Sequence, residues 1–378
     1  INLKCMKGKT RKTITLFLSL LIFLSCGSQT QEKKVDFDLQ EMSSVPLDGE
    51  LMQECLLTPY CNQMKFIQSA LFHFAPIHEE VCLVTTEYGD TIGFLSTVGN
   101  GPGELNEWPY FSGTSTRGDT VYIYDNMSHK LNAYAVQIKD QNLTYSFLGN
   151  KPTRENGDGL PEGVINQMAF ELVRLENGYS IGFRVFSNGT IFTLFDKDLN
   201  EVKKFGEYLV DEGLMDGEFH QSICFQGLRL SRGNSFFYAP HNFGYMARYD
   251  VSDEGELSKV WERWYSEPSV RVDNNNLKFE ADNPQGFYGL AVGEKYIFAA
   301  YSGVPAGDMY KERSAYALNP KFLYVFDLEG KPLAKFAVDK RISAICLDEE
   351  ENFLYVQHID PDLSLWRYNV ADMLRYIK

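Results

Sequence analysis

Short runs of alternating apolar and polar residues recur along most of the chain, separated by Gly, Asn and Asp. Clear examples are residues 81–95, 120–125, 190–196 and 353–359, which are rich in β-branched and aromatic side chains. Alternation with a period of two is typical of a half-buried strand, and turn residues between such runs indicate tight connections. Past residue 70 almost no segment has the period of an amphipathic helix. The pattern therefore predicts an all-β protein.

A looser repeat runs through these strands, in which an aromatic residue, usually followed by Asp or Asn, precedes a polar turn. The aromatic residues of the repeat are Tyr134, Phe195, Tyr249, Phe326 and Tyr368, spaced 61, 54, 77 and 42 residues apart. A unit of roughly 40–50 residues with four strands is typical of a propeller blade. Five copies and the 71–98 stretch predict a six-bladed β-propeller of four-stranded antiparallel blades. Seven blades and two β-sandwiches are the alternatives.

The end of the chain predicts how the ring closes. The last strand-like run, 363–369, leaves nine residues before the C-terminus at Lys378, too few for another pair of strands. Stacked blades leave only short edges exposed, so an incomplete final blade needs a strand from elsewhere. We expect a strand from residues 36–72 to complete it, within one propeller domain over 37–378.

The first 25 residues have a different pattern. A basic run, 7–12, precedes an apolar run, 14–24. This order is typical of a secretory signal peptide, and the apolar run is shorter than the ~20 residues that a membrane-spanning helix needs. The sequence therefore predicts a cleavable signal peptide over residues 1–25.

A candidate lipidation site follows the signal peptide directly. Phe23, Leu24 and Ser25 precede Cys26 and resemble a lipobox, the site where a bacterial signal peptidase cuts before a lipid-modified cysteine. Residues 26–36 are polar and have no apolar period, which is typical of a flexible tether. We predict that lipid on Cys26 anchors the protein to a membrane; an ordinary signal peptide with an incidental cysteine is the alternative.

The charge balance excludes one class of partner. The chain has a formal net charge of −15 and becomes more acidic once the basic signal peptide is removed. Such a surface repels phosphate backbones, so we expect no nucleic-acid binding. No acidic cluster follows Cys26, as the surface-export tag of some Bacteroides-type lipoproteins would require. We therefore expect a cell-envelope protein that faces the periplasm, with the outer-membrane surface as the alternative.

Two segments resemble a known family. Residues 93–109 contain GPGE (101–104) directly after a strand-like run, and residues 321–362 have a matching last-blade pattern. Both are similar to the TolB-like six-bladed β-propeller lipoproteins of Bacteroides-type bacteria, although Leu105 stands where that family usually has Phe. The resemblance implies the fold and an envelope location. It carries over no catalytic residue.

Candidate chemistry is sparse. The GNGPG run lacks the Gly-Lys-Ser/Thr ending and the following helix of a phosphate-binding loop, so it predicts a turn, and Glu104 is expected on the surface or bonded to backbone. The loop 272–284 is rich in oxygen ligands that suit calcium, but a solvated loop is the preferred interpretation. The histidines lack zinc-motif spacing and are expected to be structural, although separate blades could still supply ligands. They are His73, His78, His129, His220, His241 and His358. We predict no catalytic residue, no metal and no cofactor.

The cysteines of the exported domain give two expectations. Cys55 and Cys61 enclose a Pro-containing turn and could form a local disulfide in an oxidising compartment. Cys82, Cys224 and Cys346 lie in apolar runs and are expected to be buried as small hydrophobic residues.

These observations favour a lipid-anchored binding or scaffold module of the envelope that holds a protein, peptide or glycan. One alternative is a metal-dependent hydrolase or lyase with its site in the central channel. That site would require Asp, Glu, Asn or His residues from at least three blades to converge. A structural partner of an outer-membrane assembly is the third hypothesis, since a fold alone does not choose a function.

Overall fold

Hairpin-connected strands form six small antiparallel sheets in a computed structural model of the chain. The structure describes residues 35–56, 63–77, 80–106, 109–154, 169–184, 186–187, 190–209, 220–273, 276–308, 311, 318–359 and 362–377. Two N-terminal strands come first, β1 (Val45–Pro46) and β2 (Glu50–Gln53). The predicted signal peptide, Cys26 and nearly all of the tether lie outside the described residues.

Each of the first five blades uses four consecutive main strands. Blade 1 contains β3 (Gln63–Ile67), β4 (Ala70–Ile77), β5 (Glu80–Thr86) and β6 (Thr91–Thr97). Blade 2 contains β7 (Pro109–Thr114), β8 (Thr120–Asp125), β9 (Lys130–Lys139) and β10 (Asn142–Pro152). Blade 3 contains β11 (Ala169–Arg174), β12 (Ser180–Arg184), β14 (Thr190–Phe195) and β15 (Glu201–Glu207), with β13 (Phe186–Ser187) in a side pairing.

The remaining blades follow the same order. Blade 4 contains β17 (Gly227–Arg232), β18 (Ser235–Pro240), β19 (Tyr245–Val251) and β20 (Leu257–Trp264), preceded by β16 (His220–Gln221) and a 3-10 helix (Ser222–Phe225). A hairpin of β21 (Val270–Asp273) and β22 (Asn276–Phe279) precedes blade 5. Blade 5 contains β23 (Phe287–Val292), β24 (Tyr296–Tyr301), β25 (Phe322–Asp327) and β26 (Pro332–Ala337). Blade 6 contains β27 (Ile342–Leu347), β28 (Phe353–Ile359) and β29 (Leu363–Asn369), before a short helix, α1 (Val370–Leu374).

The first strands of the blades surround a central channel. Strands β3, β27, β23, β17, β11 and β7 contact one another in that order around the axis. Phe111 N on β7 donates to the Gln63 Oε1 on β3 (3.0 Å), which completes the circle. Because every blade begins with its innermost strand and alternates in direction, all six inner strands start at the same face of the ring. We call this face the loop face, because the long connections between blades leave and enter there.

The N-terminal segment closes the ring. Strand β2 pairs antiparallel with β29, which places Glu50 opposite Arg367 and supplies the fourth strand of blade 6. The predicted closure is confirmed, and six blades rather than seven are present. The sequence pattern missed β1, which adds a fifth, parallel strand to β26 of blade 5.

The repeated aromatic residues lie on the third strand of their blades and are buried. Tyr134, Phe195 and Phe326 are fully buried, while Tyr249 and Tyr368 keep less than a tenth of their surface exposed. Neighbouring blades also pack through aromatic rings. The ring centre of Phe192 in blade 3 lies 5.2 Å from that of Phe236 and 5.0 Å from that of Tyr238 in blade 4. Each blade therefore buries its faces against its neighbours, as stacked repeats require.

An Asp after the repeated aromatic residue is expected to start the turn by bonding to nearby backbone, and two blades follow this expectation. The Asp196 and Asp327 carboxylates accept hydrogen bonds from backbone N–H groups two and four residues further on, and Gly330 has a φ of +77°. Blade 4 differs from the expectation. Asp250 pairs with Arg248 instead, and the Ser252 hydroxyl starts the turn two residues later.

The cysteines follow the expectation in part. Cys82 and Cys346 are buried as predicted. Cys224 is only half-buried and lies in the 3-10 helix rather than a strand, because the inner strand of blade 4 begins after it. Cys55 is exposed, and its predicted disulfide partner, Cys61, lies outside the described residues. Among the described residues, no helix is long and apolar enough to span a membrane.

Candidate functional site

A cavity of about 150 Å³ lies in the central channel and is lined by residues from the inner strands of all six blades. The lining includes residues at the very start of these strands, among them Gln63, Tyr110 and Gln226, whose side chains are half-buried. The cavity therefore reaches the loop face, and along blade 4 its lining extends as far as Ser231. A cavity of this size is large enough for a ring of six carbon atoms.

Backbone irregularities shape this end of the channel. The inner strands of blades 2, 3, 5 and 6 each contain a β-bulge near their start. The extra residues are Ser112, Phe170, Tyr288 and Ser343. A bulge turns the following side chains relative to the regular pleat, and bulges are common beside functional sites. In blade 3 the bulge comes directly before Glu171, which lines the cavity.

Glu171 and Arg229 form a buried ion pair across blades 3 and 4. Arg229 donates from Nε to one carboxylate oxygen (2.9 Å) and from Nη2 to the other (2.5 Å). The arginine and glutamate side chains are 4% and 11% exposed. Burial raises the pKa of Glu171, and the Arg229 charge opposes that shift. The guanidinium carbon also lies 4.1 Å from the ring centre of Phe183, so Arg229 is held from two sides.

Lys65 adds a second positive charge to the cavity. Its ammonium lies 5.4 Å from the ring centre of Phe111, and burial lowers the pKa of Lys65. Among the described residues no carboxylate forms an ion pair with it, whereas Arg229 has Glu171. Counted with Lys65 protonated, the formal charges of the described lining sum to one positive charge, inside a chain of net charge −15.

Half-buried rings line the mouth of the channel. Tyr110 packs against Phe170 with ring centres 5.4 Å apart, and His241 packs against Tyr288 at 5.3 Å. The His241 Nδ1 donates to the Phe287 carbonyl (2.6 Å), and burial lowers the pKa of His241 to about 4. This imidazole is therefore neutral at pH 7. The mouth combines aromatic surface with polar groups, a composition found in sites for sugars and peptides.

The GPGE loop is structural. Glu104 accepts a hydrogen bond from Gly101 N (2.6 Å), and its carboxylate occupies the space that a Cβ at Gly99 or Gly101 would need. Gly103 has a φ of +81° and lies against Phe147. Leu105 is fully buried. The predicted turn is thus confirmed, and Glu104 bonds to backbone instead of facing the channel.

Three of the six histidines, His241 among them, have structural partners among the described residues. The His73 Nε2 contacts the Thr85 hydroxyl (3.1 Å), and the His358 Nε2 contacts the Tyr368 hydroxyl (2.9 Å). His129 lies in a turn between β8 and β9, His220 lies on β16, and His78 lies outside the described residues. In the described part of the chain, no group of three His, Cys, Asp or Glu side chains is close enough to hold a metal ion.

The oxygen-rich loop 272–284 forms a hairpin where it is described. Asp273 pairs with Lys278, and Glu280 pairs with Arg271. The Asn283 amide is buried and donates to the Asn242 carbonyl (2.6 Å). These contacts occupy three of the side chains that the sequence offered as calcium ligands, those of Asp273, Glu280 and Asn283.

The local sequence patterns do not indicate Lys65, Glu171 or Arg229 as site residues. Each is the third residue of its inner strand, in QMKFI, AFELVR and GLRLSR. A charged residue at the third position of three inner strands was the available signal. It becomes visible only when the strands are aligned by blade, which the looser repeat of the third strands did not allow.

Comparison with known proteins agrees with the fold. Residues 242–350 match a family described as TolB-like 6-blade propeller-like. No curated protein matches the chain in sequence.

Two solved structures extend the comparison. The crystal structure of a predicted exported protein from Bacteroides fragilis is 10% identical, with a TM-score of 0.55 over 88% of this chain and 98% of that one. Hydrazine synthase from Kuenenia stuttgartiensis is 9% identical, with a TM-score of 0.40 over 86% and 97% of the two chains. At such identities the first similarity concerns the fold alone.

Proposed function

We propose that this six-bladed β-propeller, whose residues 242–350 match a TolB-like family, is a lipid-anchored module of the cell envelope that binds a ligand at the loop face of its channel. The ligand is a peptide or a glycan, free or at the end of a larger partner. The ring is the rigid support, and the inner strands supply the binding groups.

One observation carries the proposal: the cavity unites charged and aromatic groups from separate blades. Glu171 and Arg229, from blades 3 and 4, are buried, and Lys65 of blade 1 is half-buried, although burying charge is costly. A fold that needed only stability would fill this space with apolar side chains, as the interiors between the blades do. The loss of stability from burying these charged groups is consistent with a site that is retained for ligand recognition.

The envelope location rests on the N-terminal sequence. The predicted signal peptide and Cys26 support export followed by lipid anchoring, and the predicted exported Bacteroides protein with the same fold is consistent with it. A tether before the propeller would let the loop face turn towards soluble or wall-bound ligands.

An array experiment tests the proposal. Purified protein lacking residues 1–26 is applied to immobilised glycans and short peptides, beside two variants that each add a Trp. Gln226→Trp fills the channel mouth, while Val202→Trp adds the same side chain to the exposed outer strand β15. We expect a set of ligands bound by the wild type and Val202→Trp and lost by Gln226→Trp. Binding that Gln226→Trp retains, or no binding at all, would refute the channel site.

A further inference from the structure

We infer that the channel cavity recognises the carboxylate group of a monoanionic ligand, with Arg229 and Lys65 as the two positive partners. The inference rests on the proposed channel site and names the chemistry that it selects. Both residues, together with Glu171, are third residues of their inner strands, and these strands start at the same face. All three residues therefore lie near the start of their strands and line the same cavity.

Arg229 is arranged to bind a second carboxylate. Glu171 uses Nε and one N–H of Nη2, whereas a guanidinium has five N–H donors. Nη1 is buried and has no hydrogen-bond partner among the described residues. The stacking on Phe183 and the pairing with Glu171 fix the plane of the guanidinium. A fixed planar fork with unused donors suits a carboxylate, which accepts two parallel hydrogen bonds.

Lys65 and Ser112 add donors at the same cavity. Lys65 brings a positive charge that no described carboxylate balances. Ser112, the bulged residue of β7, is 1% exposed, and its Oγ has no partner among the described residues. An unpaired buried hydroxyl lowers the stability of the free protein, and a ligand oxygen that accepts its hydrogen bond would recover this loss.

Charge and volume limit the ligand. With Lys65 protonated, the lining carries one net positive charge, because Arg229 and Lys65 oppose Glu171 alone and His241 is neutral at pH 7. One carboxylate neutralises this charge, whereas a phosphate dianion would leave an excess negative charge in a partly desolvated site. A cavity of about 150 Å³ admits one ring or one residue. A sugar acid at a glycan end and the free C-terminus of a peptide share this chemistry.

Matched acids and neutral analogues test the inference by calorimetric titration of the protein lacking residues 1–26. The pairs are benzoate with benzamide, glucuronate with glucose, and N-acetylalanine with its amide; inorganic phosphate is a further probe. We expect at least one acid to bind ten-fold or more tightly than its neutral partner, with phosphate weaker. Preference for glucuronate indicates a glycan source, and preference for N-acetylalanine indicates a peptide source.

Three variants locate the binding. Lys65→Met keeps the length and apolar stem and leaves no described carboxylate unpaired, so it should fold and bind the acid about ten- to a hundred-fold more weakly. The matched surface variant Lys331→Met should bind as the wild type does. Ser112→Ala should lose affinity several-fold while the free protein keeps or gains stability, an outcome that a purely structural hydroxyl would not give.

The result that overturns the inference differs from the one that overturns the proposed function. Equal binding of acids and neutral analogues, or acid binding unaffected by Lys65→Met, rejects carboxylate recognition. If neutral glycans or peptides still bind and are lost in Gln226→Trp, the channel site stands with a different chemistry. No binding by any probe to the wild type rejects carboxylate recognition, and the glycan and peptide arrays then decide the proposed function.

Discussion

Arg367, on the last strand of the chain, donates from Nε to the Glu50 carboxylate on β2 at 2.8 Å. The two residues are 317 positions apart and lie opposite each other in the register that closes the ring. The pair is largely exposed on the glutamate side, so it contributes little stability by itself. It marks the seam at which the N-terminal segment becomes part of the propeller.

The segment before this seam is expected to be essential for stability. Leu39 is fully buried between blades 4 and 5, and the Leu39 carbonyl accepts from Lys335 Nζ (3.2 Å). Leu39→Ala should lower the free energy of unfolding by about 2–5 kcal/mol, because it leaves a cavity in a packed interior. Leu51→Ala, on the exposed side of β2, is the control and should change it by less than about 0.5 kcal/mol. Equal effects in urea unfolding would mean that the segment is not packed as described.

The GPGE turn gives a second prediction. At Gly103 an added Cβ would have an unfavourable φ of +81° and would lie 2.8 Å from the Phe147 Cβ. At Gly118 the φ is +67°, yet the nearest heavy atom is 4.0 Å away. Both variants place an alanine in the left-handed backbone region, but only the added Cβ at position 103 overlaps a neighbouring side chain. Gly103→Ala should therefore destabilise the protein by about 1–3 kcal/mol more than Gly118→Ala. Similar melting curves for the two variants would contradict the tight packing of this turn.

Three buried histidines predict a loss of stability in mild acid. Burial lowers the pKa values of His73, His241 and His358 to about 4, from an ordinary value of 6.5. As the pH falls below 6.5 the unfolded chain takes up these protons and the folded chain does not, so stability decreases until about pH 4. Each histidine should lower the free energy of unfolding by about 2 kcal/mol between pH 7.5 and pH 5.

His358→Gln isolates one of these contributions. The variant should be less stable than the wild type at pH 7.5, because contacts with Tyr368 and the Lys340 carbonyl are lost. Its stability should then fall by about 2 kcal/mol less than that of the wild type on going to pH 5. Urea unfolding at the two pH values measures the difference. An equal decrease in the free energy of unfolding of the two proteins would show that the pKa of His358 is not lowered in the folded state.

Lipid anchoring is tested in cells. A fatty-acid probe should label the wild-type protein and leave Cys26→Ala unlabelled, because the thiol is the predicted site of acylation. Cys55→Ala is the matched control, since Cys55 is an exposed cysteine of the propeller and should not affect labelling. Labelling of Cys26→Ala at the wild-type level would exclude the lipobox interpretation.

The sequence predicted the ring because its signals are local. Strand alternation, the aromatic residue before each turn and the Asp-initiated hairpins are all fixed within ten residues, and Phe195 and Phe326 occupy the positions that these patterns imply. The short distance from 363–369 to the chain end also predicted closure by an N-terminal strand. The parallel strand β1 was missed because two residues carry no period.

The candidate site was not predictable in the same way. Lys65, Glu171 and Arg229 are separated by 106 and 58 residues and meet only because the ring brings their strands together. Local patterns do not show which face of an inner strand points to the axis, and bulges at Ser112 and Phe170 change that face further. Charged residues drawn from separate blades form no linear motif.

The most direct measurement of the central claim, that the channel is the binding site, is a crystal structure of the protein with the tightest ligand from the glycan and peptide arrays. The account predicts ligand density in the channel cavity, with a carboxylate within hydrogen-bonding distance of Arg229 and Lys65. Ligand density confined to the outer strands or to the opposite face of the ring would contradict it.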